Sequence, residues 1–153
     1  MRGNTVTNRY EDFTDLIMTS YRAIQKIKAA GMKKIHLKAG DVNCLYYLSR
    51  YPTGLPNSRL ADLSGVDKAA VSRTLNSLMK QGYITLSPED ADKKYGKRYI
   101  LTAQGEAAAN EVNQKVESVV DEIGQHIRLE ESEVFYKTFH AISSALVELS
   151  ENV

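Results

Sequence analysis

Ser58-Arg59-Leu60-Ala61-Asp62-Leu63-Ser64-Gly65-Val66-Asp67-Lys68-Ala69-Ala70-Val71-Ser72-Arg73-Thr74-Leu75-Asn76-Ser77-Leu78-Met79-Lys80-Gln81-Gly82 decides how this chain folds. Its first part reads as a short helix that Asn57 or Ser58 can cap, ended by Gly65, a residue free to take the positive φ of a tight turn. Asp67 then offers a carboxylate to the free amides of a new first turn, and Val71, Leu75, Leu78 and Met79 form one apolar stripe at i, i+4, i+7 and i+8. Gly82 supplies the stop. A short helix, a tight turn and a second, capped helix make a helix-turn-helix, whose second helix is built to enter a major groove about 12 Å wide.

With the stripe turned inward, the second helix presents Lys68, Ala69, Ser72, Arg73 and Asn76 near its start. Arg73 can donate a bidentate pair to guanine and Asn76 can read adenine. Ser72 can bond a base or a phosphate, Ala69 lets the helix approach closely, and Lys68 suits a phosphate. Any solvated helix carries polar residues outside, so this face acquires meaning only together with the hairpin next to it in the chain.

Tyr83-Ile84-Thr85-Leu86 and Arg98-Tyr99-Ile100-Leu101 read as two strands rich in aromatic and β-branched residues. The hairpin they make has a polar tip over 87–97. Lys93, Lys94 and Lys97, with Arg98 at the start of the second strand, make that end of the hairpin basic, fit for a minor groove or its flanking phosphates. Asp92 is an acid among phosphate-seeking residues and is expected to orient a neighbouring Lys or Arg through a charge-assisted hydrogen bond.

Working outward, Phe13, Leu16, Ile17, Tyr21, Ile24 and Ile27 recur at helical steps between Tyr10 and Ala30, with Gly31 as the end. A second helix is expected over 39–50, with Val42, Leu45 and Leu48 or Tyr46 inward; Pro52, Gly54 and Pro56 make 51–57 a loop. Thr102 caps a long helix over about 103–127, with Ala107, Val112, Val116, Val119, Val120, Ile123 and Ile127 on its apolar face. A last helix runs over about 131–149 through Val134, Phe135, Phe139, Ile142, Leu146 and Leu149. The expected fold is mainly α with a small β-wing: a winged helix-turn-helix lobe at about 38–102, with dimerisation helices at about 8–30 and 103–150, in one domain over 1–153. The outer helices carry more apolar residues than one small lobe can cover, which points to a second copy of the chain.

Charge is distributed accordingly. The net charge is only +1, but residues 1–57 hold nine Lys/Arg against four Asp/Glu, 58–105 hold eight against five, and 106–153 hold three against ten. A polyanion is drawn to the basic lobe and repelled from the acidic end. The single cysteine, Cys44, lies among Val42, Leu45 and Leu48 and reads as an inert small hydrophobe. His36, His126 and His140 have no ligand-like spacing, so neither a metal nor a cofactor is expected. There is no long apolar run and no secretory start at Met1–Thr5, so the expected location is the cytoplasm, with no membrane partner.

Leu60-Ala61-(x)4-Val66-Asp67-Lys68-Ala69-Ala70-Val71-Ser72-Arg73-Thr74-Leu75-(x)2-Leu78-(x)3-Gly82-Tyr83-Ile84, with Asp92-Lys93-Lys94 and Leu101-Thr102-(x)2-Gly105 further on, resembles the MarR family of bacterial regulators. The motifs cover the lobe, and the helix order fits nearly the whole chain. The resemblance implies an obligate homodimer in which each lobe docks on one half of a palindromic site in double-stranded DNA. It also implies a repressor released by a small aromatic or anionic effector, for which Tyr21, Tyr46 and Tyr47, with Tyr10 and Tyr51 nearby, are the candidate lining. Two features depart from the pattern. Lys93 and Lys94 stand where the family usually has arginine, and the stretch from Asp92 to Thr102 is one residue longer than usual; lysine lacks arginine's planar fork. No phosphate loop, nucleophile elbow or metal constellation speaks for an enzyme. The alternative function is a winged helix used only to bind other proteins.

Overall fold

The computed structural model describes residues 6–31 and 37–153. Expectations that fall on Met1–Thr5 and His36, and on the side chain of Tyr10, lie outside them. In chain order the elements are α1 (Val6–Gly31), α2 (Ala39–Arg50), α3 (Asn57–Ser64), α4 (Lys68–Lys80), β1 (Ile84–Leu86), β2 (Tyr99–Leu101), α5 (Ala103–Gly124) and α6 (Leu129–Glu151), with one turn of 3-10 helix at Pro88–Asp90 between the strands. The expected order stands, mainly helical with a two-stranded wing.

Two compact units emerge, Met1–Val116 and Glu117–Val153. The core of the first is Val42, Leu45 and Leu48 of α2, Leu60 of α3, Val71, Leu75 and Leu78 of α4, Ile84 of β1 and Ala108, Ala109 and Val112 of α5. The stripe read along α4 is thus buried, with Met79 packed at its margin. On α5 the inward small residues are Ala108 and Ala109, whereas Ala107 is exposed, because the first turns of α5 lie close under the wing. A Cβ at Gly105 would run into the Tyr83 carbonyl, so glycine there is a condition of that close approach.

Local chemistry fixes the turns. Asp67 caps α4 by accepting from the Ala70 amide at 2.9 Å, and Gly65 ends α3 at φ 66. The expected cap of α3 is corrected: Pro56 holds that place, Asn57 is the first helical residue, and no side chain caps the helix. Thr102 does cap α5, accepting from the Gly105 amide at 3.1 Å while its hydroxyl donates to the Gly82 carbonyl at 2.6 Å. In the wing, Ile84 pairs with Leu101 and Leu86 with Tyr99, antiparallel. Leu55, in the loop before α3, bridges Tyr99 through two backbone hydrogen bonds of 2.9 and 3.1 Å. The loop is thereby stitched to the wing as a one-residue third strand.

The second unit holds the end of α5 and α6. Gly124 ends α5 three residues earlier than expected, and α6 begins at Leu129, where the Glu131 carboxylate accepts from the Arg128 backbone amide and guanidinium at 3.3 and 2.7 Å. Phe135 stacks on Phe139 at 5.5 Å. No residue of α6 is buried.

Candidate nucleic-acid interface

The start of α4 carries four of the five expected side chains at or near the surface with little cover: Lys68, Ala69 and Asn76 are exposed, as is Arg73, and Ser72 is half-buried. The stripe of Val71, Leu75 and Leu78 is on the opposite side of the same helix and anchors it, so the outward set is held by the core rather than by contacts of its own. Asn57 ties α3 to this helix by donating to the Lys68 carbonyl at 3.3 Å.

The wing is organised by Asp90, not Asp92. The Asp90 side chain is 1% exposed and accepts from the Arg98 Nε at 2.9 Å, from Arg98 Nη2 at 3.1 Å and from the Arg98 backbone amide at 2.8 Å, and it pairs with the Lys93 Nζ at 2.7 Å. Those hydrogen bonds, first from the Arg98 side chain and then from Lys93, hold its carboxyl far below the ordinary carboxylate range. Asp92 is exposed, and among the described residues no hydrogen bond or ion pair reaches it. The orienting role expected of it is therefore corrected to Asp90. The reason is the 3-10 turn: Pro88 starts it, and the Asp90 amide donates to the Ser87 carbonyl at 3.0 Å, folding Asp90 under the hairpin. A proline at the first helical position before an acid is the sequence signal that marks such a turn.

Arg98 is likewise recast. Besides Asp90 it donates to Glu89 at 2.8 Å, so its guanidinium is a fastener at the base of the wing. Lys97 donates to the Ala91 carbonyl at 3.0 Å. Lys93 keeps about half of its side chain exposed beyond its pairing with Asp90, and Lys94 is exposed beside the Tyr95 ring, 5.8 Å from its centroid. The wing thus offers lysines at its tip on a hairpin tied at its base.

A second cluster joins α1 and α2. Tyr46 and Tyr47 meet edge to face at 5.4 Å, and Lys28 from α1 stands over the Tyr46 ring at 3.8 Å. Arg50 donates to the Tyr46 hydroxyl at 3.5 Å. Lys28 is only 6% exposed, and burial, with the Arg50 charge beside it, pushes its pKa down. Burial, with Tyr21 and Tyr46 nearby, pushes the Tyr47 phenol up. Tyr21 donates to the Ser64 carbonyl at 3.5 Å. The structure thus brings the three expected tyrosines to one region. It adds Lys28 and Arg50, which sequence reading misses because the cluster is made across two helices whose spacing in sequence says nothing of their packing. Cys44 is buried, and burial followed by Asp41 pushes its thiol up to about 12. Among the described residues, no group of three His, Cys, Asp or Glu side chains gathers around a metal position, and no helix is long and apolar enough to cross a membrane.

Comparison with known proteins meets this geometry at the lobe. Residues 37–94 match the model of the MarR family. The DNA-binding transcriptional repressor YiaJ of Escherichia coli K12 is 35% identical over 57 residues, which are 37% of this chain and 20% of that protein, so the chain matches about a fifth of that relative's length. Among solved structures, a MarR/EmrR family transcriptional regulator from Acinetobacter sp. ADP1 superposes with a TM-score of 0.74 at 18% identity, over 92% of this chain and 97% of that one. A MarR family transcriptional regulator from Listeria monocytogenes, solved with 26mer DNA, gives 0.74 at 18%, over 88% and 89%. The chain is thus matched by the MarR family's model along its helix-turn-helix and into its wing, and shares the fold of solved MarR regulators over most of its length.

Proposed function

We propose that this protein is a transcription regulator, a repressor that binds a palindromic operator in double-stranded DNA as a homodimer. The observation that carries the reading is the pairing of an outward set on α4, Lys68, Ala69, Ser72, Arg73 and Asn76, with a lysine-tipped wing fastened at its base by Asp90. Arg73 and Asn76 have the donor and acceptor sets that base edges require, and the lysines have the point charges that phosphates require. A DNA-binding regulator, and not an enzyme, is also what the match of residues 37–94 to the MarR family model supports.

A homodimer is supported by α6, whose apolar face stays open to solvent along the chain described. Phe135, Phe139, Ile142 and Leu146 are all exposed, and a contiguous apolar face of this size on a folded protein marks an interface. A small aromatic or anionic effector is supported by the α1–α2 cluster, where Lys28 and Arg50 are two cations among tyrosines, and among the described residues no carboxylate pairs with either.

The test is selection from random duplexes by the purified protein, with the winner and a scrambled control then titrated across salt concentrations. A two-fold site with half-sites about one helical turn apart is the expected outcome. Absence of enrichment would favour the protein-interaction use of the winged helix.

A further inference from the structure

Tyr95 takes no part in the packing of the lobe. It is 80% exposed, the most exposed large apolar side chain among the described residues of the first unit, at the outer end of the wing. Tyr83 and Tyr99 of the same hairpin are packed on the core. The exposed aromatics of α6 lie together on one apolar face, Phe135 against Phe139, whereas Tyr95 stands in the chain between Lys93, Lys94 and Lys97. An isolated aromatic ring among cations does not suit an apolar protein interface; it suits a polyanion with an apolar-walled groove.

Its position is also set. Below it, Asp90 locks Lys93 and Arg98, and Lys97 bonds to the Ala91 carbonyl. Gly96 comes next at φ 66 with nothing near the place a Cβ would occupy, so the turn and not crowding calls for glycine there. Tyr95 borders an open groove of about 380 Å³ together with Asn57, Ser58 and Tyr99.

We propose that Tyr95 enters the minor groove beyond each half-site and makes binding depend on the base pairs there. The inference rests on the DNA-binding reading above. A tyrosine ring is amphipathic, able to lie along deoxyribose walls with its hydroxyl towards the acceptors on the groove floor. A·T and T·A pairs expose only N3 and O2 acceptors in that groove, while G·C adds the guanine N2 amino group, which projects into the space the ring occupies. The selectivity is therefore steric: A·T flanks admit the ring and G·C flanks exclude it, with the flanking lysines supplying sequence-independent attraction.

The experiment uses the full chain and the duplex recovered by selection, with the pairs under the wing replaced by A·T, G·C or inosine·C. Inosine·C has the major-groove edge of G·C but lacks the minor-groove amino group. The parent should bind A·T and inosine·C flanks alike and G·C flanks at least about 5-fold more weakly, the low end of the cost of one unsuitable base pair. Tyr95→Ala should bind all three alike, while still discriminating the selected core from a scrambled one, which shows that its lobe is folded. Inosine·C behaving as G·C, or Tyr95→Ala retaining the parent's flank ratio, would overturn the assignment while leaving DNA binding intact. Failure of the parent to bind any duplex would sink the DNA reading, and this inference with it.

Discussion

Helices α4 and α6 are both amphipathic, yet their apolar stripes meet opposite fates. Leu75 of α4 is 0% exposed and Phe135 of α6 is 56% exposed. The stripe of α4 is covered inside the chain by α2, α3 and β1, which leaves its other side free for recognition. The stripe of α6 stays open to solvent among the described residues. Periodicity therefore tells which side of a helix is apolar, not which molecule covers it. The first unit has a closed core of its own; in the second the apolar side of α6 has no such cover among the described residues.

That contrast can be broken at several points. The largest effect is expected at Gly105, where valine would drive a side chain into the Tyr83 carbonyl; circular dichroism and thermal unfolding should show loss of the cooperative lobe. Leu75→Ala should cost about 2–5 kcal/mol in urea unfolding, as for other large-to-small changes in a closed core. The paired change Phe135→Ala and Phe139→Ala should leave the fold of a dilute monomer unchanged but weaken self-association by about 30-fold or more, corresponding to at least ~2 kcal/mol at an interface anchor. A monomer for the parent at all concentrations in analytical ultracentrifugation would remove the contrast altogether.

Smaller effects sharpen the picture of the wing. Asp90→Asn should weaken binding to every duplex, whereas Asp92→Asn should not. Because the Asp90 pKa is depressed in the native state, its stabilising contribution is present in full above the unfolded value of about 4 and is lost as pH falls through the lower native value. Wing amides should therefore keep their hydrogen-exchange protection from neutrality down to about pH 4, and lose it only below that. At the other extreme, Cys44, its thiol pushed up to about 12, should resist iodoacetamide at neutral pH until the chain is unfolded.

The helix-turn-helix is legible in the sequence because it is local: Gly65, Asp67 and the Val71–Leu75–Leu78 spacing lie within a few turns and each acts on near neighbours. Gly105 is legible as part of a motif, though its reason, the nearness of the Tyr83 carbonyl, is tertiary. Asp92 misleads because it is the acid beside the lysines, whereas Pro88 turns the earlier acid, Asp90, inward. The Leu55–Tyr99 bridge and the Lys28–Tyr46 contact join residues 44 and 18 positions apart. Contacts of that kind leave no periodic trace. The same holds for Ala108 and Ala109, whose burial depends on how closely the wing sits on α5.

The central claim is that α4 reads bases while the wing lysines supply attraction. It is tested most directly by titrating the selected and scrambled duplexes, across salt, with the parent, Arg73→Ala and Lys94→Ala. Arg73→Ala should lose about 1–3 kcal/mol on the selected duplex and little on the scrambled one, while Lys94→Ala should lose equally on both and reduce the salt slope by about one. Equal losses on the two duplexes for Arg73→Ala would contradict that claim.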